Sequence, residues 1–196
     1  MKKGQETRER ILARAARLFN EKGYYGVSLT DLMKATGLQK GGLYNHFESK
    51  EKLALEAFEY SAKRVYDRFD DALAGKRASV ERLLAIVHVM GNYAVDPPVP
   101  GGCPILNTAV ESDDGNPQLR ARARKAMEDW RNLLRRIVSK GMERGEIRRI
   151  DADEFATFFI ATIEGGIMLS KLYGNPVHLA RVAEHLKHYI ETELRL

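Results

Sequence analysis

The sequence has little that would place the chain outside a reducing, aqueous compartment. Its 196 residues include a single cysteine, Cys103, so the chain cannot form an internal disulfide, and a reducing cytoplasm is the expected location. No uninterrupted apolar run approaches the roughly 20 residues that a membrane helix needs. The first ten residues, MKKGQETRER, lack the apolar core of a signal peptide. We therefore expect a cytoplasmic protein without a membrane-spanning segment.

The sequence also lacks the motifs of common enzyme classes. Gly4, Gly41 and Gly42 follow no predicted strand and do not have the spacing of a phosphate-binding loop. No serine stands in a nucleophile-elbow sequence. Glu184 precedes His188 by four positions, but two side chains are fewer than the three or four ligands of a zinc site. We expect no enzymatic activity, no cofactor and no metal site.

Positive charge is concentrated in the first quarter of the chain. Residues 1–52 hold 11 Lys and Arg against 6 Asp and Glu, whereas the remaining residues hold 21 of each. The net charge of +5 therefore lies entirely in the N-terminal segment. Since neutralisation of phosphates supplies most non-specific DNA affinity, this asymmetry favours a DNA-binding head on a neutral body. A merely solvated basic face is the alternative interpretation.

The same segment predicts two short helices separated by a tight turn. Ser28 is a suitable N-cap, and Asp31 suits the first helical turn, where the helix dipole favours a carboxylate. Gly37 is expected to end this helix in the left-handed conformation. A second, polar helix begins near Gln39. A helix, a glycine turn and a polar second helix together indicate a helix-turn-helix, whose second helix enters the DNA major groove.

Helical periodicity and cap residues predict about nine helices in all. The other predicted helices span residues 7–22 with Thr7 as N-cap, 50–74 with Ser49, 79–95 with Ser79, 103–112, about 117–144, 152–173 with Asp151, and a last helix after Asn175-Pro176. Residues 152–173 are apolar nearly all round, and the pair Gly165-Gly166 indicates a close approach of another helix. No segment alternates with period two for long, so the expected fold class is all-α.

Residues 7–53 closely resemble the DNA-binding domain of the TetR (tetracycline repressor) family of bacterial transcription regulators. The residues that carry the resemblance are Leu18-Phe19, Gly23, Gly26, Ser28 to Leu32, Ala35, Gly37, Gly42-Leu43-Tyr44, His46-Phe47 and Ser49-Lys50-Glu51. The start of the second helix departs from the family pattern. Where the family commonly has a hydroxyl-bearing residue, this chain has Gly42.

The resemblance implies an architecture and a function. Residues 1–50 would form a three-helix helix-turn-helix DNA-binding domain, and residues 51–196 a helical ligand-binding and dimerisation domain. The chain would be a ligand-responsive regulator, and we expect a repressor that a small-molecule inducer releases from a palindromic double-stranded operator. A homodimer would form through the last two helices, whose apolar stripes could be buried between two subunits.

The resemblance and the residue chemistry together predict the DNA-contacting side chains. Hydroxyls and cations near helix starts suit phosphates, whereas Lys40 suits guanine and Asn45 suits adenine. Gln39 could cap the helix or read a base. The predicted DNA-binding residues are Ser28, Thr30, Gln39, Lys40, Gly41, Gly42, Tyr44, Asn45, His46 and Lys50. Packing of Tyr44 and a structural role for His46 are the alternatives.

The middle helices are expected to line the inducer pocket, as they do in the family. The candidate ligand-binding residues are His88, Tyr93, Cys103, Asn107, Met127, Trp130 and Phe159. For each of them an ordinary core position is the competing interpretation. Cys103 at a helix start also leaves open a second function, a thiol-based sensor of oxidants or electrophiles, because a helix N-terminus stabilises a thiolate. An architectural DNA binder without a ligand is a further alternative.

Overall fold

The computed structural model describes residues 2–113 and 115–196. The described residues form nine α-helices and a short π-helical segment, and contain no β-strand, which confirms the predicted all-α class. The helices are α1 (Lys2–Lys22), α2 (Leu29–Thr36), α3 (Lys40–Tyr44), α4 (Lys50–Leu73), α5 (Ser79–Gly91), α6 (Pro104–Ser112), α7 (Pro117–Glu143), α8 (Ala152–Tyr173) and α9 (Val177–Tyr189). The π-helical segment, Ile190–Leu194, follows α9 directly.

The described chain divides into two compact units. The first contains the segment up to Arg64 together with Val99–Lys125, and the second contains Val65–Pro98 together with Ala126–Leu196. Helix α6 therefore belongs to the same unit as α1, α2 and α3, while α4 and α7 each contribute to both units. The domain boundary predicted at residue 50 falls inside the first compact unit. The assignment of DNA binding to residues 1–50 and of ligand binding and dimerisation to residues 51–196 stays a prediction.

The first unit has an apolar core made by α1 to α4. Its buried members are Ile11, Leu12, Ala15, Ala16, Val27, Leu32, Leu43, Phe47, Leu53 and Ala57. Four of these residues lie on one side of α1, and Leu43 is the residue that α3 contributes. A fully buried large apolar side chain contributes roughly 1.5–3 kcal/mol, so these contacts hold the short α2 and α3, which could not persist alone.

The second unit is built around α8. This helix packs along α9, and α9 also contacts α5. The buried residues of α8 recur mostly every three or four positions: Phe155, Ala156, Phe159, Ile160, Ile163, Glu164, Gly166, Ile167 and Ser170. The same unit contains fully buried residues of α7 and α9, among them Trp130, Leu134 and Leu179.

The outward face of α8 is apolar as well. Phe158, Met168 and Leu172 lie on this face and are 42%, 49% and 70% exposed. By length and composition α8 could cross a membrane, which corrects the expectation that no segment of the chain comes close to that requirement. Half of the relevant window is buried against the unit, and a buried core helix passes the same test.

Only one of the paired glycines in α8 makes a close helix approach. A Cβ built on Gly166 would lie 3.0 Å from Leu179 Cδ1 and 3.1 Å from Val182 Cγ2 of α9. A Cβ built on Gly165 would meet no described atom within 4 Å outside its own helix. The close approach predicted from the pair is therefore provided by Gly166.

Two predicted helix starts are wrong. Thr7 lies inside α1, which begins at Lys2. Ser79 is the first residue of α5, and its N-cap position is Ala78, whose side chain makes no capping bond. The backbone N–H of Ser79 instead donates to the carboxylate of Glu146. An acceptor 67 positions along the chain replaced the local cap, which no sequence window of helical length could reveal.

Candidate nucleic-acid interface

The first helix of the predicted motif, α2, begins with a complete capping box. The Ser28 hydroxyl accepts the backbone N–H of Asp31 at 3.1 Å, and the Asp31 carboxylate accepts the backbone N–H of Ser28 at 2.9 Å. Ser28 also donates its hydroxyl proton to Asp31 at 2.5 Å. These bonds from Ser28, with the nearby charge of Lys22, lower the pKa of Asp31 to about 2. The predicted N-cap is confirmed.

The turn between α2 and α3 is held at both ends. Gly37 adopts φ of 72°, the left-handed conformation predicted for it, and its N–H donates to the Met33 carbonyl. The guanidinium of Arg14 on α1 donates to the carbonyls of Ala35 and Thr36 at 3.0 and 3.1 Å. A cation at this end of a helix satisfies carbonyls that have no partner in the helix itself.

The predicted DNA-contacting residues lie together on α2, α3 and the start of α4. Seven of them are exposed: Ser28, Thr30, Gln39, Lys40, Gly41, Tyr44 and Asn45. Gly42, His46 and Lys50 are half-buried. Helix α3 thus buries Leu43 in the core and presents its polar side chains outward. This is the arrangement that reading of base edges requires.

Local contacts on α3 organise that polar surface. Gln39 occupies the N-cap position of α3, but its side chain makes no capping bond, so the amide remains available for another partner. The Lys40 ammonium lies 5.9 Å from the centroid of the Tyr44 ring. Asn45 is the C-cap residue, and its backbone N–H donates to the Gly41 carbonyl at 2.9 Å.

The residue that departs from the family pattern, Gly42, has room for a side chain. A Cβ built there would touch Leu38 at 3.5 Å, an ordinary van der Waals distance, and Gly41 next to it faces open space. Packing within the unit therefore does not require glycine at position 42. The missing hydroxyl leaves the backbone of the α3 start more accessible than a larger residue would.

Lys50 connects the start of α4 to the segment between α1 and α2. Its ammonium donates to the Tyr24 carbonyl at 2.7 Å and lies 4.4 Å from the centroid of the Tyr24 ring. Partial burial lowers the pKa of Lys50, and the charge of Glu111 opposes that change. Burial, with a smaller contribution from the charge of Glu51, raises the pKa of Tyr24.

The segment that joins α1 to α2, here called the connector (residues 23–27), is clamped by α6. The two carboxylate oxygens of Glu111 accept the backbone N–H groups of Tyr24 and Tyr25 at 2.8 and 3.0 Å. Gly23 has φ of 76°, and a Cβ built on it would overlap the Glu111 carboxylate. Glycine is therefore needed at position 23 both for its conformation and for the clamp.

Two asparagines join the end of α1 to the loop that precedes α6. The Asn20 amide donates to the carbonyls of Pro100 and Gly102 at 2.9 and 3.0 Å. The Asn107 amide donates to the Asn20 side-chain oxygen at 2.9 Å and to the Gly101 carbonyl at 3.0 Å. Since Asn20 is buried, loss of any of these bonds would leave polar groups unsatisfied.

A narrow cleft follows the clamp within the first unit. It is lined by residues of α1, the connector, α4 and α6, including Phe19, Tyr24, Phe58 and Glu111. Its volume is about 30 Å³, which holds two or three water molecules, since each needs roughly 10–15 Å³ by this measure. The cleft is too small for an inducer in this conformation.

The candidate ligand-binding residues do not form one cluster. Cys103 and Asn107 belong to the first unit, and the other five belong to the second. Tyr93, Trp130 and Phe159 are fully buried, Met127 is half-buried, and His88 is exposed beside Asn92. The indole Nε1 of Trp130 is buried without an acceptor among the described residues. Cys103 is 1% exposed at the start of α6.

Sequence reasoning missed the clamp and the asparagine network. Asn20 and Glu111 lie 91 positions apart, and neither stands in a recognisable motif. One local signal was available: Asn107 and Glu111 are four positions apart, so they share one face of α6. The bonds from Arg14 to the end of α2 were missed as well, because the bonded residues lie 21 and 22 positions apart.

Comparison with known proteins covers both halves of the chain. A family model described as bacterial regulatory proteins of the tetR family matches residues 11–57, and one described as a tetracyclin repressor-like C-terminal domain matches residues 79–186. The uncharacterized HTH-type transcriptional regulator YxaF of Bacillus subtilis strain 168 is 30% identical over 182 residues, which cover 92% of this chain and 93% of YxaF.

Solved structures of transcription regulators are similar to this chain over nearly its full length. A TetR transcriptional regulator from Chloroflexus aurantiacus J-10-FL is 51% identical, with a TM-score of 0.96 over the full length of both chains. A putative transcriptional regulator from Saccharomonospora viridis, solved in complex with choline, is 29% identical with a TM-score of 0.82, covering 98% of this chain and 99% of that one.

Proposed function

The chain belongs to the TetR family of transcription regulators, and on that premise we propose that it is a repressor which a small-molecule inducer releases from its operator. The observation that carries the DNA-binding part is α3, a helix held by a buried Leu43 with Lys40, Tyr44 and Asn45 on its exposed side. Side chains on the exposed side of a recognition helix contact base edges and the flanking phosphates.

The proposed assembly is a homodimer on a palindromic operator. The outward stripe of α8 supports it, because Phe158, Met168 and Leu172 expose apolar surface at helical spacing. Gly165 lies on the same stripe with open space above it, so a partner helix could approach closely there. A second copy presents the same stripe, which makes the surface self-complementary about a two-fold axis. Two recognition helices would then read two half-sites.

The proposed inducer site lies among the buried aromatic residues of the second unit. Trp130 supports it, because a buried indole N–H without a protein acceptor is unusual and an inducer could supply one. Its ring lies 5.8 Å from Phe69, and Tyr93 and Phe159 are buried in the same unit. Roles for His88, Met127, Cys103 and Asn107 in ligand binding remain part of the proposal.

The clamp is a contact through which a movement of α6 would reach the DNA-binding helices. Glu111 holds the connector, and Asn107 holds the end of α1. A displacement of α6 would therefore move the connector, which leads into the first helix of the helix-turn-helix. In this mechanism the inducer favours a body conformation in which the two recognition helices no longer match the half-site spacing. Regulation would then follow from the difference in inducer affinity between the two conformations.

Genomic DNA selection tests the DNA-binding part. Purified protein is incubated with sheared genomic DNA, and the bound fragments are sequenced. A two-fold symmetric sequence should be enriched, and the enrichment should vanish for a variant carrying both Tyr44→Phe and Asn45→Ala. If the wild-type protein enriches no common sequence, it is not a sequence-specific regulator.

Tryptophan fluorescence tests the inducer site, since Trp130 is the only tryptophan in the sequence. Choline is a first probe because a similar protein has been solved with it; other small cations and apolar amines follow. A true inducer should change the emission of Trp130 and release the selected operator over the same concentration range. Operator release without a change in Trp130 emission would contradict the proposed inducer site but not the repressor function.

The thiol-sensor alternative depends on Cys103. Burial of the side chain does not favour it, because an oxidant must reach the sulfur. Wild type and Cys103→Ser should therefore respond alike to oxidants and electrophiles in an operator-release assay. Release that requires the thiol would restore this alternative.

A further inference from the structure

A basic groove in the second unit is not used by the function proposed above. It lies between the α4–α5 connection, the first turns of α5 and the C-terminal half of α7, and its volume is about 590 Å³. Six of its nine lining residues are cations: Lys76, Arg77, Arg82, Arg136, Lys140 and Arg144. The other three are Ser79, Leu133 and Ile137.

Three of the cations form a row at the end of α7. Arg136 and Lys140 lie on α7, and Arg144 is the first residue beyond it. The three are four residues apart, and the Arg144 N–H donates to the Lys140 carbonyl at 3.1 Å, so they follow one another along a single side of the helix end. Eight residues of helix rise about 12 Å, which is the length over which the row extends. Leu133 and Ile137, one turn apart, provide an apolar floor beside it.

Most of these charges have no counter-charge in the described part of the chain. Lys76, Arg77, Arg136 and Lys140 form no ion pair with any described residue. Arg144 lies 3.8 Å from Glu146, whose carboxylate is shared with the backbone N–H of Ser79. Among the six cations, only Arg144 lies within ion-pair distance of a carboxylate in the described part of the chain.

Backbone contacts hold the groove in shape. The guanidinium of Arg144 donates to the Arg77 carbonyl at 2.9 Å, and that of Arg82 donates to the Lys76 carbonyl at 3.5 Å. The α4–α5 connection is thereby tied to both helices that form the walls. Unpaired like charges in a concave surface focus the electrostatic potential and attract anions.

We propose that this groove binds a small anion that carries two or more linked phosphate groups. Arginine matches phosphate oxygens with paired N–H donors, and lysine adds a point charge. A row of cations about 12 Å long exceeds one phosphate group and suits a chain of them. The volume lies within the roughly 300–1,000 Å³ of small-molecule pockets, and a DNA duplex, as a convex rod, does not enter such a groove.

Calorimetric titration of the full-length protein with inorganic tripolyphosphate tests the proposal, with ATP titrated in parallel and the ionic strength held constant. The test variant is Arg136→Gln with Lys140→Gln. The matched control is Arg120→Gln with Arg124→Gln, which removes two exposed cations from the same helix outside the groove. Circular dichroism confirms that both variants keep the helical fold.

The wild type and the control should bind tripolyphosphate, and the groove variant should lose about tenfold or more in affinity, because each removed cation takes away a charge-assisted bond. Equal affinities for ATP and tripolyphosphate would show that the groove recognises the phosphate groups alone. Tighter binding of ATP would show that the groove also contacts the nucleoside. No binding at millimolar tripolyphosphate, or an equal loss in both variants, overturns the proposal. If random-sequence duplex binds through Arg136 and Lys140 while tripolyphosphate does not, the groove serves DNA instead.

Discussion

The Glu111 carboxylate accepts the backbone N–H of Tyr24 at 2.8 Å, and this bond ties α6 to the connector that leads into the helix-turn-helix. The second carboxylate oxygen holds the N–H of the next residue. Within the first unit, the position of α2 therefore depends on a side chain 87 residues away from the connector. The clamp is also the contact through which a change at α6 would reach the DNA-binding helices.

Replacing Glu111 by Gln should loosen the connector. The amide keeps one oxygen but turns its NH₂ group toward a backbone N–H. One of the two bonds is therefore lost at a partly buried or exposed position, where a hydrogen bond contributes about 0.5–1.5 kcal/mol. We expect the free energy of unfolding to fall by that amount and operator affinity to fall with it. Chemical denaturation and fluorescence anisotropy with an operator duplex measure the two effects. Glu143→Gln, at an exposed position of α7, is the control and should change neither.

Phosphate contacts and base contacts on α3 should separate in DNA titrations. Tyr44→Phe is expected to weaken binding to operator and random duplex alike, because a phosphate contact carries no sequence information. Asn45→Ala should weaken operator binding by about 1–3 kcal/mol while leaving random duplex nearly unchanged. Equal losses on both duplexes for Asn45→Ala would contradict a base-reading role. Lys50 is a poorer probe, since its removal also frees the Tyr24 carbonyl.

A charge on the outward stripe of α8 should break the proposed dimer. Met168 is 49% exposed, and a carboxylate at that position would be buried between two apolar stripes, which is unfavourable without a partner. Met168→Glu should weaken self-association by about tenfold or more, equivalent to 1.4 kcal/mol. Analytical ultracentrifugation measures this, and Gln118→Glu, an exposed change on α7, is the control. An unchanged association constant would show that the dimer interface does not include the outward stripe of α8.

The capping box should make the stability of the helix-turn-helix depend on acid pH. The folded pKa of Asp31 is about 2 against an ordinary value of 3.8, so its contribution is complete above pH 4 and is lost as the pH falls toward 2. Ser28→Ala removes the main cause and should raise the pKa of Asp31 in an NMR titration. Thr30→Ala, its exposed neighbour, should leave that titration unchanged. An unshifted pKa in Ser28→Ala would show that Ser28 is not the cause.

Local signals predicted α2 correctly and α5 only in part. Ser28, Asp31 and Gly37 act within one or two helical turns, and the structure shows all three in the predicted roles. The start of α5 was wrong because its acceptor is Glu146, which folding brings from another segment. The pair Gly165-Gly166 shows the same limit, since the sequence indicated a close approach but could not say that Gly166 alone makes it.

The sequence alone determined the helical class, the helix-turn-helix and the family, because these depend on periodicity, caps and motif spacing that act between near neighbours in the chain. It also predicted Tyr44 and Asn45 as DNA-contacting residues, and both are exposed at the C-terminal end of α3. Only the tertiary structure decided that α6 joins the DNA-binding unit through Glu111, and that six cations face one groove. Hydrogen bonds and charge clusters between distant segments leave no periodic trace in a sequence, since their partners are chosen by the packing of whole helices.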